Sequence, residues 1–202
     1  MGICHRSAHR ARHQTDPRPV GFRRLGTRHH RHRTHGWDRR VPEAAHVVSH
    51  SARLAATGLT LPKVASPVGS YVPALRYGDL VTTSGQLPFV DGALQATGIV
   101  GADGGVAPEL AAECARTAVL NAVAAAAFAA GGIDAITQVV KVTGFIASAP
   151  DFGGQPAIMN AASDLLAEIF GEAGRHARSA VGVAALPLGA PVEIELTVAV
   201  GS

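Results

Sequence analysis

Arg178, Glu193 and Glu195 are the residues near the end of the chain whose types and spacing are best suited to acid–base chemistry. An arginine can bind a carboxylate through two parallel hydrogen bonds, and a glutamate facing the same cleft can accept and return protons. Arg178 opens one predicted strand, and the glutamates lie on a second strand in which apolar and polar residues alternate from Val192 to Val200. We read the two strands as a hairpin, so Arg178 and the glutamates need not be neighbours within one subunit. A cleft of this kind can hold a small organic acid and move its protons.

Charge divides the chain of 202 residues into two unlike parts. Residues 1–40 contain eleven Arg and two Asp, whereas residues 41–202 contain seven Lys or Arg and thirteen Asp or Glu. Neutralising phosphates needs clustered basic residues, so the acidic character of residues 41–202 argues against nucleic acid as a partner. The two cysteines lie far apart and no long apolar run is present, so we expect a cytoplasmic protein without a membrane span.

Residues 1–50 form an Arg- and His-rich segment without helical or strand periodicity, which we interpret as a disordered tail. A nucleic-acid-binding arm and a His-rich metal binder remain alternatives. A mitochondrial-type targeting peptide would also be Arg-rich, but it would be amphipathic and Ser-rich, and the spacing here is irregular. The same composition also fits translated upstream DNA, with the true start near Val47 or Val48. We therefore place one domain at residues 51–202.

The elements of this domain follow in the order β-β, α, β, α, β-β. A short helix at 51–58 precedes a strand pair at 71–76 and 80–84, and Asp91-Gly92 marks a second turn. Pro108 and Gly131 delimit a long Ala-rich helix whose last two turns should be buried. A central strand at 139–146 and a helix at 156–170 precede the final strands. The order predicts an α+β fold in which two helices pack on one face of a single mixed sheet, and self-association can cover the other face.

The body, from about Pro67 to Val200, resembles the RidA/YjgF family of reactive enamine/imine deaminases, often labelled endoribonuclease L-PSP. Five motifs carry the resemblance in order: Gly69-Ser70-Tyr71-Val72-Pro73, Thr83-Ser84-Gly85-Gln86-Leu87-Pro88, Asp151-Phe152 with Asn160, Ala177-Arg178-Ser179, and Leu186-Pro187 with Val192-Glu193-Ile194-Glu195. The chain departs from the family pattern by Ala180 in place of Cys, by a longer loop at 153–156, and by His176 in place of Pro. These departures indicate a divergent subgroup.

The resemblance implies a chorismate-mutase-like homotrimer with a central barrel and three sites between subunits. It implies hydrolysis of enamine/imine acids, of the 2-aminoacrylate or 2-iminopropanoate type, to 2-keto acids and ammonia, with no metal or organic cofactor. By this resemblance Arg178 binds the substrate carboxylate and Glu193 activates water. Tyr71, Ser84 and Asn160 shape the pocket, and backbone groups around Gly85 and Ala180 complete it.

Other interpretations of the same residues remain open. Arg178 can instead be an ion-pair partner, and Glu193 a solvated strand residue. His176 beside Arg178 can titrate and tune the site, although a lone histidine in a loop is more often an ordinary surface residue. The alternative function is a non-catalytic protein that holds keto acids or amino-acid derivatives in the same intersubunit cleft.

Overall fold

The computed structural model describes residues 48–64 and 69–201. Most of the expected tail, up to residue 47, lies outside these residues. The helices are α1 (His50–Ala56), α2 (Pro108–Ala130) and α3 (Gln155–Phe170). The strands are β1 (Ala74–Tyr77), β2 (Leu80–Thr83), β3 (Phe89–Val90), β4 (Ala93–Leu94), β5 (Ile136–Ala147), β6 (Ala177–Val183) and β7 (Val192–Val200).

The main sheet has five strands in the order β1-β2-β7-β5-β6. β6 runs parallel to β5, and the other neighbouring pairs are antiparallel, so the sheet is mixed as expected. The expected hairpin between the last two strands is wrong, because β5 lies between β6 and β7. Strands in a sheet lie about 4.8 Å apart, so the eight residues from 184 to 191 easily span the width of β5. The twelve-residue β5 can therefore pair with both of the final strands.

The hairpin predicted at Gly78 and the turn predicted at Asp91-Gly92 are both present, and the second turn also joins two paired strands. β1 and β2 pair around Gly78, which has a φ of 61°, and β3 and β4 pair around Asp91 and Gly92, with φ of 49° and 84°. Consecutive residues with positive φ match the right-handed twist of a two-residue hairpin, so the Asp-Gly pair fits the second turn. β3 and β4 form a separate two-stranded sheet.

The long helix α2 has the predicted bounds, with Pro108 in its first turn and Gly131 ending it at a φ of 87°. α2 is long and apolar enough to cross a membrane by length and composition, but its alanine face is buried in the core against the sheet. Its final turns differ from expectation most clearly at Phe128, which is 77% exposed, whereas Ala127 and Ala130 are buried.

The two long helices pack on one face of the sheet, and α1 packs against α3. The buried residues of β5 and β7 point towards these helices, whereas the alternate residues point to the other face, which is open in the single chain. Polar side chains on the open face include Thr82 and Thr197, whose hydroxyls lie 3.2 Å apart, and Lys141, which donates a 2.7 Å hydrogen bond to Ser179. The α+β class is confirmed, with a short third helix added to the two that cover the sheet.

Candidate functional site

Arg178 lies near the start of β6, where its Cα is paired with that of the fully buried Val142 on β5. Partners in this register share a face, so the Arg178 side chain points to the helix side of the sheet. There Nη1 donates to Asn160 Oδ1 and to Ser163 Oγ at 3.0 Å each, and Nη2 donates to the Pro156 carbonyl at 3.2 Å. The three acceptors stand on successive turns of α3, so one helix holds the guanidinium.

All three partners of the Arg178 guanidinium are neutral. No carboxylate of the described residues lies within 4.0 Å of it, although the neighbouring Arg175 pairs with Glu172 at 2.9 Å. An arginine has five N–H donors, so two donors of Arg178 have no acceptor among the described residues. A half-buried cation with free donors and only neutral partners is suited to an external anion. Within the described residues of one subunit, the ion-pair interpretation of Arg178 finds no partner.

Glu193 lies on β7 between the fully buried Val192 and Ile194, and its own side chain is half-buried on the opposite face. Burial raises the pKa of the Glu193 carboxyl, and the nearby negative charge of Glu195 raises this pKa further. A carboxylate whose pKa lies above its usual range is better matched to accepting a proton near neutral pH. Glu195 is exposed on the same face.

Gly85 lies directly against the Glu193 carboxylate. A Cβ at this position would overlap Oε1 of Glu193 and lie 2.6 Å from its Cδ. The adjacent Gln86 exchanges two backbone hydrogen bonds with Ile194, at 2.8 and 3.0 Å, which fixes the segment beside β7. The absent side chain therefore makes the space that the carboxylate occupies.

Tyr71 and Ser84 are tied to this same region through the backbone. Ser84 Oγ donates to the Val72 carbonyl at 2.7 Å, and the Ser84 amide donates to the Pro73 carbonyl at 2.9 Å. The segment that carries Tyr71 therefore runs beside the end of β2, and Tyr71 itself is about half exposed.

The predicted site residues thus form two groups. The arginine cluster contains Arg178 and Asn160, with Ala180 two residues further along the same face of β6, where its Cα partner is Gly144. The glutamate cluster contains Tyr71, Ser84, Gly85 and Glu193. The Cα partner of Glu193 is Phe145, which alternates with Val142 and Gly144 and therefore points to the opposite face of the sheet. Within one chain, the sheet separates the two clusters.

Two contributors to the arginine cluster were not assigned from the sequence: Ser163 and the Pro156 carbonyl bind the guanidinium directly. For a third, His176, the sequence left open a role in tuning the site or an ordinary surface position, and it bonds to Ser163 at 3.1 Å. Pro156, Asn160 and Ser163 are spaced four and then three residues apart, which places them on one face of a helix. This spacing could have indicated that Pro156 and Ser163 lie beside Arg178 together with Asn160. No sequence signal indicates the His176 contact, because it joins a helix to the segment preceding an edge strand.

A family model described as "YjgF/chorismate mutase-like, putative endoribonuclease" matches residues 51–198. The chain belongs to this family. Protein TCP17 of Trypanosoma cruzi is 42% identical over 149 residues, which cover 73% of this chain and 92% of TCP17.

Solved structures of YjgF-family proteins agree with the fold to different degrees. A protein from Shewanella oneidensis, described as a "putative endoribonuclease", is 36% identical and superposes with a TM-score of 0.71, covering 75% of this chain and 99% of its own. E. coli TdcF is 28% identical with a TM-score of 0.51, covering 69% of this chain and 94% of its own. The closer agreement with the Shewanella structure is consistent with a divergent subgroup of the YjgF family.

Proposed function

We propose that this YjgF-family protein hydrolyses reactive enamine/imine acids to 2-keto acids and ammonia. The observation that carries the proposal is the Arg178 guanidinium, half-buried, held by three neutral oxygens and retaining two free donors among the described residues. Such a group recognises a carboxylate, and no carboxylate of the described residues lies within 4.0 Å to compete for it. E. coli TdcF, which shares the fold, was crystallised with bound serine, a small molecule that carries a carboxylate.

The chemistry requires little beyond orientation and one base. Glu193 takes a proton from a water molecule as its oxygen bonds to the imine carbon, and the C=N π electrons move to nitrogen. The protonated glutamate then gives its proton to that nitrogen. The glutamate, ionised again, takes the proton of the new hydroxyl group as the carbonyl forms, the C–N bond breaks with its electron pair going to nitrogen, and ammonia leaves. A protonated imine is already electrophilic, so positioning the water and the carboxylate accounts for most of the task.

The opposite orientations of Arg178 and Glu193 support a site shared between subunits of a homotrimer. A small acid bound at Arg178 cannot reach Glu193 of the same chain through the sheet. The open face, with its mixture of polar and apolar side chains, is a suitable surface for self-association. The proposed cleft therefore combines the arginine cluster of one subunit with the glutamate cluster of its neighbour.

Subunit mixing tests this arrangement. Arg178→Ala and Glu193→Gln proteins should each lose release of keto acid and ammonia from enzymatically generated 2-aminoacrylate. Arg175→Ala, which removes an exposed arginine three residues away, serves as the matched control and should retain it. Co-refolding the two inactive proteins at equal amounts should restore about one quarter of the wild-type activity, because each half of a shared site is intact with probability one half. No recovery, with trimers formed, would show that the two residues do not share a site across subunits.

The alternative of a binding protein without turnover has a distinct outcome in the same experiments. The wild-type protein would bind a 2-keto acid in an Arg178-dependent way but release no ammonia above the uncatalysed rate. RNA cleavage, which the family description suggests, is expected to be absent from a protein that starts at residue 51, because residues 41–202 contain nearly twice as many acidic as basic residues.

A further inference from the structure

His176, Ser163 and Arg178 form a continuous chain of hydrogen bonds on the helix side of β6. His176 Nδ1 lies 2.6 Å from the Gly174 carbonyl, and Nε2 lies 3.1 Å from Ser163 Oγ. Ser163 Oγ in turn accepts from Arg178 Nη1 at 3.0 Å. His176 and Ser163 are both half-buried, so water competes less with these bonds than it would at the surface.

The Gly174 carbonyl, which only accepts, and the Arg178 guanidinium, which only donates, fix the direction of the two outer bonds of this hydrogen-bond chain. A carbonyl oxygen can only accept, so Nδ1 of His176 carries a proton. In the neutral ring Nε2 is then an acceptor, and the Ser163 hydroxyl donates to it. Because the hydroxyl proton points at His176, the oxygen lone pairs of Ser163 remain for Arg178. With a neutral ring, this hydrogen-bond chain has one arrangement of protons, in which each group fixes the next.

The His176 end of this hydrogen-bond chain is held by the backbone carbonyl of Gly174. Gly174 is buried at the end of the turn that follows α3, and a Cβ there would lie 2.8 Å from the carbonyl carbon of Leu166. The turn therefore packs directly on α3, and the Gly174 carbonyl is held at a set position relative to Ser163 on the same helix.

We propose that Ser163 and His176 are positioning residues, which hold the Arg178 guanidinium in the orientation that presents its free donors to a substrate carboxylate. The inference rests on the proposed function, in which Arg178 binds that carboxylate. Asn160 and the Pro156 carbonyl also bind the guanidinium. Loss of the hydrogen-bond chain from His176 through Ser163 should therefore loosen the guanidinium without releasing it. The expected consequence is weaker binding of acids, with no effect on uncharged molecules of the same shape.

Titration calorimetry with pyruvate and with its uncharged amide, pyruvamide, separates these effects. Ser163→Ala should weaken pyruvate binding about tenfold, as expected for one hydrogen bond to a charged group, and should change pyruvamide binding less than twofold. Ser163→Thr retains the hydroxyl and should restore most of the affinity. His176→Phe should resemble Ser163→Ala, and the double variant should be no weaker than either single variant, since both break one chain.

The outcomes distinguish failure of the inference from failure of the proposed function. Wild-type protein that binds pyruvate no better than pyruvamide would refute carboxylate recognition by Arg178 and, with it, the positioning role. Wild-type preference for pyruvate that persists unchanged in Ser163→Ala would refute the positioning role alone. Equal losses for both ligands in Ser163→Ala would show a general structural role and would also overturn it.

Discussion

Gly85→Ala is the substitution whose effect on the proposed reaction follows most directly from the structure. The new Cβ would overlap Glu193 Oε1 and lie 2.6 and 2.9 Å from Cδ and Cγ of the same side chain, whereas ordinary carbon contacts are about 3.5–4.0 Å. The carboxylate must therefore retreat by about 1 Å or more. Misplacement of a catalytic group by about 1 Å can lower a rate by about 10²-fold, or about 2.7 kcal/mol in activation free energy.

The fold should tolerate this change. Gly85 does not have a positive φ, so alanine is compatible with its backbone, and the half-buried Glu193 can change its rotamer on the open face of the sheet. We expect kcat/KM for imine hydrolysis to fall about 10²-fold while the free energy of unfolding changes by less than about 1 kcal/mol.

The assay is ammonia release from enzymatically generated 2-aminoacrylate, together with urea unfolding of the same preparations. Gly153→Ala is the matched control, because a Cβ there meets no atom within 4 Å and its φ is not positive. Gly153→Ala should therefore keep wild-type activity. A Gly85→Ala protein that retains full activity would show that the position of the Glu193 carboxylate does not matter to the reaction.

Three further predictions concern titrating groups. Because the pKa of Glu193 is raised in the folded protein, its contribution to stability is fully present below the unfolded pKa of about 4.3 and is lost as pH rises through the folded pKa. Glu193→Gln should therefore be more stable than wild type at pH 7 but not at pH 4, as measured by urea unfolding. Cys114 is fully buried, and burial followed by the charge of Glu113 raises the pKa of its thiol to about 11, so in a Cys4→Ser protein it should react with a disulfide reagent at pH 8 only after unfolding. The Asp134 carboxylate accepts hydrogen bonds from the Ser51 hydroxyl and amide, which lower its pKa; Asp134→Asn should cost about 0.5–1 kcal/mol at pH 7. The difference from wild type should shrink as pH falls below the unfolded value of about 3.9, and a difference that stayed constant there would contradict this.

Local patterns in the sequence were sufficient to predict most of the elements. Pro108 and Gly131 delimit α2 because a missing amide is tolerated in the first turn and a left-handed residue ends a helix. The alternation from Val192 to Val200 predicted which residues of β7 are buried. These features depend on residues close together in the chain, and a single sequence contains that information. The exposed Phe128 is an exception, because composition alone does not show which side of the last helical turns points away from the core.

Identifying the candidate site required both the sequence motifs and the tertiary structure. Motif resemblance selected Arg178 and Glu193, and the structure placed the predicted residues in two clusters on opposite faces. The turn before β7 predicted a hairpin with β6. In the structure β5 lies between these two strands and is long enough to pair with both of them. The neutral partners of Arg178 and its chain to His176 could not be inferred from local pattern, since they join α3 to a strand that only the crossover brings beside it. Sequence determined the elements and the residue types, because those follow from short-range preferences; the tertiary structure decided which strands pair and which side chains meet, because those depend on contacts between residues far apart in the chain.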